Sequence, residues 1–122
     1  MSSRDLDAFF DANGARLRND LFEFLRIPSV SARTEHNADT RRAAEWLAGR
    51  LRAIGLQTAV HPTPGQSVVV GEWRGAPAGA PTILIYGHYD VQPAEPLELW
   101  ETPAFEPAVR DGRIYEIGRA HV

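Results

Sequence analysis

The stretch Thr82-Ile83-Leu84-Ile85-Tyr86-Gly87-His88-Tyr89-Asp90 joins an unbroken apolar run to a glycine, a histidine and an aspartate. A short apolar run with β-branched residues is typical of a strand that is buried on both faces. Gly87 would let the backbone turn, or approach another group closely, where that strand ends. The fold class that this stretch and its surroundings predict is α/β.

His88 and Asp90 are two positions apart, so on an extended backbone their side chains point to the same side. Ligands of open α/β sheets bind at the ends of such strands, which makes His88 a candidate metal ligand or catalytic base. A zinc-binding histidine usually donates its second ring N–H to a carboxylate, and Asp90 is placed to accept it. The alternative is a buried histidine bonded to backbone, and the local pattern does not decide between the two.

Composition excludes several classes of protein. The 122 residues are 43% hydrophobic and 24% charged, which predicts one soluble globular domain. A net charge of −3 without a basic stripe argues against a nucleic-acid partner. The chain has no cysteine, so disulfides and thiolate metal sites are excluded, and a metal would need His and carboxylate ligands. No signal peptide or membrane span is visible, so we expect a cytoplasmic protein without a membrane partner.

Apolar spacing predicts two helices near the N-terminus. The first ends at Pro28, and its stripe consists of Leu6, Phe9, Phe10, Leu17, Leu21, Phe24 and Leu25. The second is expected to be capped by Asp39 and stopped by Gly55, with a buried face of Ala43, Leu47, Leu51 and Ile54.

Strands are predicted after the helices. The expected strands cover residues 56–61, 67–73 and 82–86, with a turn at 62–65 and an extended Pro-rich loop at 93–107. Residues 109–115 are expected to form a hairpin that turns at Asp111-Gly112. The prediction is therefore two N-terminal helices packed on a mixed sheet.

Three segments carry a family resemblance. Residues 86–93 read Tyr-Gly-His-Tyr-Asp-Val-Gln-Pro, residues 110–115 read Arg-Asp-Gly-Arg-Ile-Tyr, and residues 25–31 read Leu-Arg-Ile-Pro-Ser-Val-Ser. Together they resemble the di-zinc metallopeptidases, a family of carnosine-type dipeptidases, carboxypeptidase G-like enzymes, aminoacylases and succinyl-diaminopimelate desuccinylases. The dipeptidase branch is the most similar, and the match runs from about residue 6 to residue 115.

The resemblance implies an incomplete zinc-exopeptidase-type catalytic domain. His88 would bind one of a pair of zinc ions, for which Co or Mn could substitute, and Asp90 would be a catalytic residue that orients this histidine. The substrate would be a small peptide or an N-acyl amino acid, hydrolysed by a metal-activated water. A homodimer would form through a domain that this chain does not contain.

The C-terminal segment departs from the family pattern. Family members continue with Gly-Arg-Gly and then a metal-bridging Asp, whereas this chain reads Glu116-Ile117-Gly118-Arg119-Ala120-His121-Val122. Residues 117–122 match one reading frame of a common DNA-sequencing adapter. We therefore expect residues 1–116 to be the truncated N-terminal part of the catalytic domain, and residues 117–122 to be a non-native tail from adapter read-through. His121 is not offered as a ligand.

Three functions stay open from the sequence. The first is a fragment of a dipeptidase that is inactive as an isolated chain, since one His and one Asp cannot hold a pair of zinc ions. The second is an N-acyl amino acid amidohydrolase of the same family. The third, from another class, is a non-catalytic binding or structural α/β domain in which His88 is only a core residue.

Overall fold

Helix α1 covers Ser3–Leu25 in the computed structural model, which describes residues 2–118. Its start is a capping box, because the Ser2 hydroxyl accepts from the Asp5 N–H and the Asp5 carboxylate accepts from the Ser2 N–H. Pro28 excludes a helical conformation for Ile27, so the helix ends just before it. The predicted first helix and its end are confirmed.

Helix α2 covers Asn37–Ala53 and follows directly on a 3₁₀ turn at Thr34–His36. The prediction that Asp39 caps this helix is wrong, because the 3₁₀ turn brings the helix start forward and puts Asp39 inside the first turn. The Asp39 carboxylate instead lies 2.9 Å from His36 Nδ1 and 2.9 Å from an Arg42 guanidinium nitrogen.

Gly55 ends α2 as predicted. Its φ of +92° is a left-handed conformation that glycine adopts without strain. The Gly55 N–H donates to the Arg52 carbonyl at 2.9 Å, and the Leu56 N–H donates to the Leu51 carbonyl at 3.0 Å. These two bonds form a Schellman motif, which satisfies carbonyls that the helix leaves open.

The buried face of α2 is narrower than predicted. It is made by small residues, since Ala43, Ala44 and Ala48 are fully buried. Leu47 and Leu51 are half-buried. Ile54 is wrong as a core residue, because it follows the last helical residue and is 69% exposed.

Two hairpins account for the strands. In the first, β1 (Gln57–His61) pairs antiparallel with β2 (Val68–Glu72), and α2 packs on this pair. In the second, β3 (Ala108–Arg110) pairs antiparallel with β4 (Arg113–Tyr115). The turn residues Asp111 and Gly112 both have positive φ, as a type I′ turn requires. The strands at 56–61 and 67–73 and the hairpin at 109–115 were predicted and are confirmed.

The predicted buried strand at residues 82–86 is wrong. Ile83, Leu84, Ile85 and Tyr86 are 83–90% exposed and form no strand. A strand needs a neighbour for its backbone N–H and C=O groups, and none of the strands described within residues 2–118 pairs with this run. The mixed sheet is wrong too, since the strands within residues 2–118 form two separate two-stranded antiparallel sheets. The α/β class stands.

The helix ends and the loops share a small core. Its buried apolar residues outside α2 are Leu25, Ile27, Val30, Val91, Ala94 and Ala104. This core joins the end of α1 to the segment that follows His88, and so fixes the position of the candidate site. Neither described helix has the length and apolar character that crossing a bilayer would require.

Candidate metal centre

A short parallel contact between two loops builds the candidate site. Val30 and Val91 form an isolated parallel β-bridge, and the Val91 N–H donates to the Ser29 carbonyl at 3.1 Å. The Ser29 hydroxyl, which is fully buried, donates to the Tyr89 carbonyl at 2.6 Å. Backbone on both sides of Asp90 is thus attached to the loop after α1.

The structure brings His88 and Asp90 together, as the spacing predicted. His88 Nδ1 lies 3.1 Å from Asp90 Oδ1 and 3.0 Å from the Asp90 backbone oxygen. Both partners are acceptors, so this arrangement favours the tautomer with its proton on Nδ1. The two side chains are each 41% exposed, which does not fit the alternative of a buried core histidine.

Ser31 is a site residue that the sequence analysis missed. Its hydroxyl donates to Asp90 Oδ2 at 2.5 Å, on the carboxylate oxygen opposite the one that faces His88. The two residues are 59 positions apart. Ser31 lies within the family-like segment 25–31, which was the one available signal, but no local pattern names a partner so distant.

Tyr89 attaches the same loop to the start of β2. Its hydroxyl donates to the backbone oxygen of Ser67. Burial raises the pKa of Tyr89, and the negative charge of Asp90 raises it further. Tyr89 therefore keeps its proton near neutral pH and stays a donor in this bond.

The acidic loop after the histidine pairs with arginines. Glu95 lies 3.2 Å from Arg33, and Glu106 lies 3.4 Å from Arg26. All four side chains are substantially exposed. These two glutamates therefore lie on a solvated face and pair with arginines, which does not indicate a role at His88.

His88 with Asp90 can supply one zinc ligand, but the pair cannot supply all the ligands of a zinc centre. An imidazole held through Nδ1 by a carboxylate is the usual arrangement of a zinc-binding histidine, whose ligand atom is then Nε2. Within residues 2–118, no cluster of three or more His, Asp or Glu side chains is placed to hold a metal ion. His121 lies outside the described residues, as do the other residues of the segment 119–122.

Known proteins give a consistent comparison. No family model matches the chain. It is 34% identical over 108 residues to the cysteinylglycine-S-conjugate dipeptidase of Corynebacterium striatum, covering 88% of this chain and 24% of the relative. It is 40% identical over 74 residues to a succinyl-diaminopimelate desuccinylase of Xanthomonas oryzae pv. oryzae, covering 61% of this chain and 19% of the relative.

A solved structure supports the fold. The di-peptidase Dug1p from Saccharomyces cerevisiae matches with a TM-score of 0.73 and 24% identity, over 84% of this chain and 24% of that one. The chain thus spans about a quarter of the length of the dipeptidases that it matches. These sequence matches, with the segments around Ser29 and His88, support the interpretation of the chain as a fragment from the metallopeptidase family of the dipeptidases and succinyl-diaminopimelate desuccinylases.

Proposed function

We propose that this chain is part of a longer zinc-dependent dipeptidase, which hydrolyses the amide bond of dipeptides or short peptides. The observation that carries the proposal is the contact between His88 Nδ1 and the Asp90 carboxylate at 3.1 Å. It gives the ring the tautomer and the orientation that a zinc ligand needs. The relative named as a dipeptidase supports the substrate class.

Each residue of the proposed centre has one task. His88 would hold one zinc ion through Nε2, while Asp90 keeps the Nδ1 proton in place and adds negative charge beside the ring. When bound, the pair of zinc ions, or Co or Mn in their place, supplies Lewis-acid activation of water and of the amide carbonyl. The other ligands and the general base would come from sequence outside this chain, so we expect the isolated chain to be inactive.

A second substrate class has its own support. The relatives that are 40% identical over 74 residues are named as desuccinylases, whose name points to N-acyl amino acids. Hydrolysis rates of the complete protein on dipeptides and on N-acyl amino acids separate the two substrate classes. A preference for N-acyl amino acids would replace the dipeptidase proposal with the amidohydrolase alternative.

Zinc analysis of a His88→Ala variant tests the metal centre, and the complete protein with its downstream sequence is the material to use. We expect the variant to lose zinc and to lose activity by more than about a hundredfold, which exceeds the usual effect of removing an outer-shell partner. His61→Ala is the matched control, because His61 is an exposed histidine on β1. Equal zinc content in wild type and His88→Ala would instead favour a non-catalytic binding or structural domain.

Three further expectations accompany the proposed function. A cytoplasmic location and a homodimer formed through sequence outside this chain both stay predictions. The non-native origin of residues 117–122 also stays a prediction, since residues 119–122 lie outside those that the structure describes. An independent DNA read through codon 115 would decide the last of these.

A further inference from the structure

The Asp90 carboxylate has two oxygens with different partners. Oδ1 lies 3.1 Å from His88 Nδ1, and Oδ2 accepts from the Ser31 hydroxyl at 2.5 Å. An exposed aspartate side chain rotates among several rotamers unless a second contact fixes it. The bond from Ser31 is that second contact, because it holds the carboxylate plane while Oδ1 faces the ring.

We propose that Ser31 is a positioning residue for the metal centre, acting on His88 through the Asp90 carboxylate. This proposal rests on the proposed function in so far as His88 is a zinc ligand. A hydroxyl donor orients the carboxylate, and the carboxylate adds to the Asp90 backbone oxygen in favouring the Nδ1–H tautomer. This tautomer leaves the Nε2 lone pair as the ligand atom.

Neighbouring residues already supply the mechanical link between the two loops. Ser29 joins them through its hydroxyl at 2.6 Å from the Tyr89 carbonyl and through its own carbonyl, which accepts from the Val91 N–H. The Val30–Val91 bridge adds a further attachment. The Ser31 hydroxyl is therefore not needed to hold the loops together, and its bond ends on the carboxylate that lies 3.1 Å from His88 Nδ1.

The test compares Ser31→Thr with Ser31→Val, because these two side chains have nearly the same shape and only threonine keeps the hydroxyl. In the metal-free 122-residue chain, ¹⁵N NMR reports which ring nitrogen of His88 carries the proton. We expect wild type and Ser31→Thr to hold mainly the Nδ1–H tautomer. We expect Ser31→Val, and Ser31→Ala with it, to shift toward the Nε2–H tautomer.

Zinc affinity of the complete protein gives the second measurement. We expect Ser31→Val to bind zinc about tenfold more weakly than Ser31→Thr, at the lower end of what outer-shell partners contribute. Ser3→Ala is the control, because Ser3 is an exposed serine at the start of α1.

Different results would contradict the role of Ser31 and the proposed function. Equal tautomer populations in Ser31→Thr and Ser31→Val would overturn the role of Ser31, whatever the protein binds. If wild type binds no zinc while the tautomer still shifts, the proposed function fails and the positioning of His88 by Ser31 stands. Equal zinc affinities of the two variants, in a protein that binds zinc, would also overturn the proposal.

Discussion

Asp5 shows how one side chain controls the start of a helix. The Ser2 N–H donates to its carboxylate at 2.8 Å and the Ser2 hydroxyl at 2.9 Å. These two bonds, the backbone one first, lower the pKa of Asp5 from its ordinary value of 3.8. Because the folded pKa lies below the unfolded one, the charged carboxylate stabilises the helix start above the unfolded pKa. That contribution is lost as the pH falls through the folded pKa.

We therefore expect the first turn of α1 to fray reversibly on acidification below the ordinary pKa of Asp5. Amide NMR signals of residues 3–6, followed during an acid titration, would report the fraying. Asp5→Asn should show a pH-independent first turn, whereas Asp11→Asn, further along α1, should keep the wild-type response. A first turn that responds to acid equally in wild type and Asp5→Asn would contradict the assignment.

The sequence predicted a side-chain contact correctly where the two residues lie close together along the chain. His88 and Asp90 are two positions apart, so backbone geometry alone brings their side chains to one side, and they do lie in contact. The bond from Ser31 to Asp90 spans 59 positions, so it depends on how the two loops meet. No spacing rule contains that information.

At the scale of the element, one glycine inside α2 and one just after its end have opposite roles. Gly55 has a φ of +92° in the Schellman motif, whereas Gly49 lies in the helix interior with open space around its missing Cβ. We expect Gly55→Ala to lower the free energy of unfolding by about 1–2 kcal/mol, because L side chains are strained in this region. Gly49→Ala should raise it by about 0.5–1 kcal/mol, since alanine is the better helix former.

Chemical denaturation of wild type and of both glycine variants measures these changes. The pair is its own control, because the same methyl group is added in each case. A loss of stability in both variants would show that added volume, rather than backbone conformation, determines the effect. A gain in both would show that Gly55 is not required in its left-handed conformation.

Elements whose conformation depends on adjacent residues were predicted correctly. The strand at 82–86, which depends on a partner distant in sequence, was not. The helix stop at Gly55 and the turn at Asp111-Gly112 follow from backbone preferences of one or two residues. The run at 82–86 has the composition of a buried strand but stays exposed. Composition predicts what a segment would do beside a partner strand, and it does not supply that partner.

At the scale of the whole molecule, the apolar run is the largest departure from an ordinary surface. Ile83, Leu84 and Ile85 are consecutive and 83–90% exposed, whereas exposed apolar residues elsewhere are mostly isolated. The backbone of these three residues is also not part of a strand, so its N–H and C=O groups are not engaged in a sheet. Such a segment is a template for pairing with another chain.

We therefore expect the 122-residue chain to self-associate in a concentration-dependent way, and Leu84→Lys to weaken that association. Sedimentation velocity over a range of concentrations is the measurement. Ile54→Lys is the matched control, because Ile54 is a single apolar residue, 69% exposed, at the end of α2. Equal effects of the two lysines would assign the association to total surface hydrophobicity instead of the run at 82–86. A wild-type chain that stays monomeric at every concentration would show that the run at 82–86 does not pair with another chain, and would count against the proposal that this chain is part of a longer protein.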